Sequence, residues 1–355
     1  MQPFHLLSAA GQVAAHLRAE VERGRLSGMM PGVNRLGVEL GVNPKTVEAA
    51  LQQLEHEGLL TGQGPGRKRL IVAPGANTAR PMQVAILLGE PADRQLEYIV
   101  ELQHALAEAG HRAIFPDKYL LELGPNLARL DRLVKQTAAD AWVVCAGTRE
   151  VLEWFSAQPM ASFALFGRRA GLPIAATGPN KPPAIAAATR HLIDLGHRRI
   201  VLLTRRMRRL PEPGRSERAF LGELESHGIP TSAFNLPDWE ETTEGFQEIL
   251  GALFRVTPPT ALIVDESPFF AATQQFLAKR GIQVPEAVSL ICTDADPTFA
   301  WCKPAISHIR WDSRPVVRRI VGWAAAVSRG RQDLRQTSVL AEFVVGGTIG
   351  PAPGN

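Results

Sequence analysis

From Gln83 onward, short runs of apolar residues alternate with amphipathic stretches of helical length. The apolar runs are QVAILL, RAIF, AWVVC, SFALF, RIVLL, ALIV and VSLIC. Repeated alternation of strands and helices is typical of parallel sheets that helices cover on both faces. Residues 83–350 are too many for one comfortable core, so the pattern predicts an α/β domain of two lobes. Ligands of such sheets bind beyond the carboxyl ends of the strands, which here means between the lobes.

The first part of the chain has a different pattern, three apolar stripes at helical spacing. They predict a helix over 12–23, a short second helix ending at Gly41, and a third that Asn43 caps and Pro44 opens. The stripes are Val13, Leu17 and Val21, then Val33, Leu36 and Leu40, then Val47, Leu51 and Leu54. This order of short helices predicts a helix-turn-helix.

A hairpin follows the third helix. LLTG and RLIV flank the glycine-rich, basic tip GQGPGRKR, and this arrangement predicts the wing of a winged helix. The third helix then enters a major groove, while the wing contacts phosphates or the minor groove. The residues predicted to contact DNA are Arg35, Asn43, Lys45, Thr46, Gln52, Arg67, Lys68 and Arg69. The alternative is a winged helix used for protein contact, but three adjacent basic residues favour an anionic partner.

The segment ELGVNPKTVEAALQQLEHEGLLTGQGPG resembles the GntR family of winged-helix regulators, whose motif is close to LGVSRxTVRxALxxLExEGLL followed by a glycine-rich wing. The resemblance spans about residues 11–72. Asn34, Pro44 and Glu48 stand where that family often has arginine. Because of this difference, we expect the DNA contacts to come from the neighbouring basic and hydroxyl residues and from the wing. We therefore divide the chain into a winged helix-turn-helix at 1–73, an Ala/Pro/Gly-rich linker at 74–82 and the large domain at 83–350.

Several segments of the large domain resemble, in order, the ligand-binding domain of LacI-type regulators, which is similar to periplasmic sugar-binding proteins. They are AAATRHLIDLGHRRIVLL, RAFLGELESHGIP and VPEAVSLICTDAD, with PAISHIRWD and LAEFVVGGTIGP at the end. The resemblance implies a periplasmic-binding-protein-like fold of two lobes with a small-molecule effector, a carbohydrate, between them. Together with the winged helix, it gives an architecture similar to that of arabinose-repressor-type regulators.

The resemblance also implies effector contacts. Asp294 stands where an acidic residue binds a sugar hydroxyl, and Asp265 and Glu266 stand at the family's "ND" pair. Ser216 stands at the position of the family's effector arginine, with Arg215 next to it. This difference leaves a different effector as an alternative. From the residues themselves we add two candidates. Arg168, at the end of the strand LFGR, either binds an anionic or hydroxyl group in the cleft or lies on the surface. Trp301, like Trp311, either stacks on a ring of the ligand or packs in the core.

Composition and missing motifs exclude several other classes. The chain has no apolar run long enough to cross a membrane and no secretory signal, so we expect a cytoplasmic protein. Cys145, Cys292 and Cys302 are odd in number and widely spaced, as free thiols are. No nucleophile elbow, phosphate loop or metal-binding motif is present, so we expect no cofactor, no metal and no enzyme. The carboxylates Asp265, Glu266, Asp294 and Asp296 leave a sugar hydrolase as a remote alternative.

The prediction is a transcription regulator, a repressor, that binds a palindromic operator in double-stranded DNA as a homodimer paired through the large domains. Effector binding closes the cleft and changes the spacing of the two DNA-binding heads. The alternative is a DNA-binding protein whose large domain is a dimerisation or protein-partner scaffold without a small-molecule effector.

Overall fold

The structure is a computed structural model that describes residues 8–22, 25–26, 28–62, 64, 68–71 and 80–354. Residues 74–79 of the predicted linker lie outside the described residues. The chain forms two compact units, one of Met1–Pro81 with Ala325–Gln332 and one of Met82–Ala324 with Asp333–Asn355. Each unit has its own hydrophobic core. Among the described residues, no helix combines the length and the apolar character that crossing a membrane requires.

The first unit is the predicted winged helix. Its elements are α1 (Ala9–Glu22), α2 (Val33–Leu40), α3 (Pro44–His56), β1 (Leu60–Thr61) and β2 (Leu70–Ile71). β1 and β2 pair antiparallel, which confirms the hairpin. Gly41 ends α2 in the left-handed conformation, at φ 65°, and Asn43 caps α3 by accepting a hydrogen bond from the Lys45 backbone N–H at 2.9 Å.

The predicted apolar stripes form the core of this unit. The buried members are Val13, Ala14, Leu17, Val21, Met30, Leu36, Val47, Ala50, Leu51, Leu54, Leu60 and Ile71, with Val33 and Leu40 packed against them. Residues 28–30 lie beside the wing, where the Met30 N–H donates to the Arg69 carbonyl and the Ile71 N–H donates to the Gly28 carbonyl. The core therefore holds both the helices and the base of the wing.

In the second unit, lobe 1 contains a five-stranded parallel sheet of order β4-β3-β5-β6-β7. Its elements are β3 (Gln83–Leu87), α4 (Glu97–Glu108), β4 (Arg112–Ile114), α5 (Leu120–Leu123), α6 (Leu127–Gln136), β5 (Ala141–Cys145), α7 (Arg149–Ser156), β6 (Ala161–Leu165) and β7 (Ala175–Thr177). Every residue of β5 is buried, as expected for a strand covered on both faces.

Lobe 2 contains a six-stranded sheet of order β8-β13-β12-β11-β10-β9. Its elements are β8 (Pro179–Asn180), α8 (Pro182–Asp194), β9 (Ile200–Leu203), α9 (Arg206–Arg209), α10 (Arg215–Ser226), α11 (Thr243–Val256), β10 (Ala261–Val264), α12 (Ser267–Lys279), β11 (Ser289–Cys292), β12 (Ser307–Trp311) and β13 (Val339–Val344). Between β12 and β13 the chain forms α13 (Arg314–Val327), which packs on lobe 1, where the ring centroids of Trp323 and Phe163 of β6 lie 5.2 Å apart. Neighbouring strands of this sheet pair parallel except β12 and β13, which pair antiparallel, so β8 and β13 run opposite to the other four strands.

Alternate residues of the strands in lobe 2 face two separate cores. Ile200 and Leu202 of β9 pack with α8 and α10, whereas Val201 and Leu203 pack with α11 and α12. The helices α9 and α11 of this lobe, the helix α13 and the antiparallel pairing of β13 with β12 were absent from the sequence predictions. Since each strand has a hydrophobic layer on both sides, only its ends are open to a ligand, at the carboxyl edge of the sheet.

Candidate functional site

Four of the eight residues predicted to contact DNA lie on α3 or at its N-cap. Asn43, Lys45 and Gln52 are exposed, and Thr46 is half-buried. Arg35, on α2, is exposed and donates from Nε to Glu39 Oε1 at 2.8 Å. The apolar residues of α3 face the core, so the polar ones form one outward surface. Short polar side chains of this kind have the hydrogen-bonding groups that read base edges in a major groove.

The wing differs from the sequence expectation at Arg69. Its guanidinium binds two carboxylates of α3, with Nη2 to Glu48 Oε1 at 2.6 Å and Nε to Glu55 Oε2 at 3.0 Å. The hydrogen bond from Arg69 lowers the pKa of Glu48, and the bond to Glu48 raises that of Arg69. Only 17% of the Arg69 side chain is exposed. Arg69 therefore joins the wing to α3 instead of projecting toward a phosphate.

The other two basic residues of the wing have different outcomes. Lys68 is exposed and makes no ion pair with the residues that the structure describes. Arg67 lies outside the described residues. Glu48 stands where the family motif often has arginine. It forms an ion pair with Arg69, which the sequence analysis placed in the second strand of the hairpin.

In the second unit, charged groups at the carboxyl ends of the strands of the two lobes contact each other, and we call this region the cleft. Residues just beyond these ends supply its charged groups. They are Glu90 after β3, Arg168 after β6, Arg205 after β9, Asp265 and Glu266 after β10, and Asp294 after β11. The sequence analysis identified four of these six, and the structure adds Glu90 and Arg205.

Arg205 connects the two lobes. Its Nη2 lies 2.6 Å from Glu90 Oε1 in lobe 1 and 2.7 Å from Glu266 Oε2 in lobe 2. Its side chain is only 13% exposed. Burial alone lowers the pKa of Arg205, but the hydrogen bonds and charge of Glu266 and the charge of Glu90 outweigh it, and the net pKa is raised. The predicted cleft acid Glu266 is therefore paired with a cation from the chain itself.

Asp265 and Asp294 are also paired. Arg208 Nε lies 3.1 Å from Asp265 Oδ2, and Lys181 Nζ lies 2.6 Å from Asp294 Oδ1. Asp265 is 1% exposed and also accepts hydrogen bonds from Thr204 and Thr293. Burial would raise the pKa of Asp265, but the charges of Arg208 and Lys181 hold it below its usual value. The three predicted acids are thus brought together, each beside a basic residue that the sequence analysis did not name.

Arg168 is placed differently from its predicted role as an open ligand contact. It donates from Nε to the carbonyl of Met207 at 3.1 Å, and from Nη2 to the carbonyls of Arg208, Leu210 and Glu212 at 3.1, 3.1 and 2.7 Å. These carbonyls follow or end the short helix α9, where they lack helical partners. Arg168 of lobe 1 therefore fixes the loop 205–214 of lobe 2, and its guanidinium faces main chain instead of an open site.

Trp301 is likewise unsuited to stacking on a cleft ligand. It ends the 3₁₀ turn Pro297–Trp301 and is 90% exposed. It is neither packed in a core nor part of the aromatic group at the cleft. That group consists of Tyr98, Phe166 and Trp311, whose ring centroids lie 5.5 to 5.7 Å apart. Burial raises the pKa of Tyr98, with the nearby charges of Asp93, Asp294 and Glu266 adding to the effect.

Arg215 is the first residue of α10 and is exposed. Burial lowers the pKa of Arg169, a half-buried residue of lobe 1, and the charge of Arg215 adds to this effect. Sequence reasoning missed Arg169, Lys181, Arg205, Arg208 and Tyr98. The signal for Arg205 and Arg208 was present, since the run RRMRR directly follows the strand RIVLL and so begins at a carboxyl end.

Two protein families match parts of the chain. Residues 9–66 match "Bacterial regulatory proteins, gntR family", and residues 189–349 match "Periplasmic binding protein-like domain". These matches confirm the resemblances of both segments and support a DNA-binding transcription regulator. No curated protein sequence matches this chain.

Solved structures of regulators share the fold at low sequence identity. A LacI family transcriptional regulator from Enterococcus faecium with bound ribose has a TM-score of 0.61 and 16% identity, covering 76% of this chain and 99% of its own. A sugar-binding LacI family regulator from Escherichia coli complexed with phosphate has a TM-score of 0.59 and 19% identity over 76% and 98%. The regulator CelR in complex with cellobiose has a TM-score of 0.62 and 15% identity over 90% and 100%. These likenesses establish the fold.

Proposed function

We propose that this chain is a transcription repressor that reads a palindromic operator through α3 and the wing, and whose DNA affinity is set by a small molecule bound in the cleft between the lobes. The observation that carries the proposal is the combination, in one chain, of an exposed polar helix of a winged helix-turn-helix with a charged cleft at the carboxyl ends of two sheets.

Lys45, Thr46 and Gln52 are the base-reading candidates in this proposal, because they lie on the outward face of α3. Lys68 contributes a phosphate contact, whereas Arg69 positions the wing against α3. Asn43 acts mainly through the start of α3, since its side-chain oxygen accepts from the Lys45 N–H.

The ligand is, in this proposal, a carbohydrate or carbohydrate derivative. Ribose and cellobiose in two regulators of the same fold support this class. The cleft offers the carboxylates Asp265, Glu266 and Asp294, together with the aromatic group around Tyr98. Because each carboxylate is already paired, a ligand must share or exchange these ion pairs. It changes DNA affinity only if it binds the two conformations of the protein unequally.

Selection of duplexes from a random library by the full-length chain tests the DNA-binding step. We expect an enriched sequence with two-fold symmetry. Lys45→Ala and Gln52→Ala should each weaken binding to that sequence by about 1–3 kcal/mol and relax the preference at one position of each half-site. Gln53→Ala is the matched control, because Gln53 is an exposed glutamine on the same helix that the proposal does not assign to base reading. Absence of any enriched sequence would contradict the proposal.

The cleft also favours a second candidate, the scaffold. Arg205, Arg208 and Lys181 hold the lobes and their acids together without any ligand. A large domain closed by its own ion pairs could serve only to pair two copies or to bind a protein. Titration of pentoses, hexoses, disaccharides and their acidic derivatives against the complex with the selected DNA separates the two. Unchanged DNA affinity with all of them would favour the scaffold.

A further inference from the structure

Each lobe of the second unit places an arginine against the other lobe at the cleft. Arg205 of lobe 2 donates from Nη2 to Glu90 Oε1 of lobe 1 at 2.6 Å. Arg168 of lobe 1 donates in the opposite direction, to four carbonyls of the segment 205–214 in lobe 2. The strand ends of the two lobes are therefore held together by side chains of the chain itself.

The guanidinium of Arg205 lies in a site suited to a cation. Besides Glu90, it contacts Glu266 Oε2 of lobe 2, from Nη2 at 2.7 Å and from Nε at 2.9 Å. Its Cζ lies 4.9 Å from the centroid of the Phe269 ring. Carboxylates and the face of an aromatic ring are the groups that attract a guanidinium. Since only 13% of its side chain is exposed, Arg205 fills this site.

The backbone of Glu266 is held in an unusual conformation at this contact. Its φ is 58°, a value that residues other than glycine rarely adopt. Its N–H donates to Thr293 Oγ1 at 3.3 Å. A strained residue of this kind persists only where several surrounding contacts fix it. The pairing with Arg205 is one of these contacts, so the local structure and the contact between the lobes depend on each other.

Release of Arg205 leaves two acids without their cation. Burial and the charge of Asp265 raise the pKa of Glu266, and the hydrogen bond and charge of Arg205 oppose this effect. A partly buried carboxylate that loses its partner is unfavourable until water or another donor reaches it. Separation of the lobes brings water to both Glu90 and Glu266. Loss of the ion pair and opening of the cleft are therefore coupled.

We propose that Arg205 is a latch that keeps the cleft of the ligand-free domain closed, and that a ligand reaches Glu90 and Glu266 only after this arginine is released. A ligand that takes over these carboxylates binds only the unlatched domain, so it shifts the domain toward an open conformation. The sequence analysis expected the opposite movement, closure by the effector. The movement caused by a ligand rests on the proposed function, whereas the latch itself does not.

Double electron–electron resonance on the full-length chain, without ligand or DNA, measures the separation of the lobes. Spin labels at Gln136→Cys of α6 and Gln247→Cys of α11 are on exposed positions, and Cys302→Ser removes the thiol that is not buried. An excess of unlabelled chain suppresses distances between copies. We expect one short distance in this parent protein. Arg205→Ala and Glu90→Gln should each lower the ratio of closed to open molecules about tenfold or more, the loss expected for a charge-assisted hydrogen bond.

Ethylguanidinium chloride distinguishes a latch from a general loss of structure. Added to R205A at constant ionic strength, it should restore the short distance, because its guanidinium fits the space that the shortened side chain leaves between Glu90 and Glu266. It should not close E90Q, in which Arg205 still occupies that space. The double variant should be no more open than either single variant, since both remove the same contact. If R205A fails to fold, E90Q keeps the test decisive.

Arg206→Ala is the matched control, because Arg206 is the adjacent arginine of the same segment and is exposed. It should leave the distance unchanged. An open parent protein, a closed distance in both R205A and E90Q, or an R205A variant that ethylguanidinium leaves open would overturn the proposal. The DNA selection above is scored independently. Enriched DNA with lobes that open freely refutes only the latch, whereas a working latch without enriched DNA refutes only the regulator.

Discussion

At the scale of single residues, Arg69 lies on the wing as predicted, but its guanidinium binds carboxylates of α3 instead of pointing toward DNA. The run RKR predicts exposed basic groups. Lys68 is exposed, as expected, while Arg69 binds Glu48 and Glu55 on α3. Carboxylates of a neighbouring element, rather than the composition of the tip, therefore decide which of the two faces solvent.

Arg69→Gln should destabilise the first unit by about 1 kcal/mol, because it leaves Glu48 and Glu55 without their cation. Chemical denaturation measures this. The pairing lowers the pKa of Glu48 from 4.5, so its contribution is present above that pH and is lost as the pH falls through the lowered value. The difference between wild type and R69Q should therefore shrink in acid below about pH 4.5.

Lys68→Gln is the matched control, since it removes the same charge from the neighbouring position in the sequence. It should leave stability unchanged but weaken binding to all duplexes alike and reduce the salt dependence by about one counterion. An unfolding free energy that R69Q leaves unaltered at neutral pH would show that the contacts to α3 carry no net stability.

At the scale of elements, local chemistry set the boundaries of α2 and α3. Gly41 takes the left-handed conformation that ends α2, and Asn43 and Pro44 start α3 within three residues of it. These features depend only on neighbours in the sequence, so they were predictable. The helices α11 and α13 also have regular apolar spacing, with buried Phe246, Leu250 and Leu253 in α11. Their apolar spacing alone predicts helices, but it does not say which layer of the domain they join.

Asn43→Ala should destabilise α3 by about 1 kcal/mol, because the N–H of Lys45 loses its acceptor. Thermal unfolding followed by circular dichroism measures the change. Asn43→Ser keeps a capping oxygen and should restore most of the stability. If N43S matched wild type in stability but lost DNA affinity, Asn43 would instead be a direct DNA contact, as the sequence analysis expected.

At the scale of the whole molecule, Trp301 is a large apolar side chain that lies almost fully in solvent. A tryptophan that is 90% exposed is unusual for a surface, and aromatic anchors are typical of interfaces. Beside it, α12 and residues 296–302 line a pocket of about 310 Å³. The homodimer proposed above would bury Trp301 if it pairs two copies of the chain through this face.

Trp301→Ser should shift the protein from dimer toward monomer, since it removes a large apolar contact from the interface. Sedimentation velocity at micromolar concentration measures the state. Leu340→Ser, another highly exposed apolar position, is the control and should leave the state unchanged. A wild-type chain that is monomeric under these conditions, or a W301S variant that remains fully dimeric, would contradict the assignment.

The sequence by itself determined the class of fold, because the period of apolar residues and the capping chemistry act between neighbours in the chain. It also located Asp265, Glu266 and Asp294 at strand ends, where the α/β arrangement exposes side chains to a cleft. The tertiary structure alone decided the partners of these groups. Glu90 and Arg205 are 115 residues apart, and Lys181 and Asp294 are 113 apart. Such pairs form only when folding removes both groups from water and leaves each other as the available counter-charge.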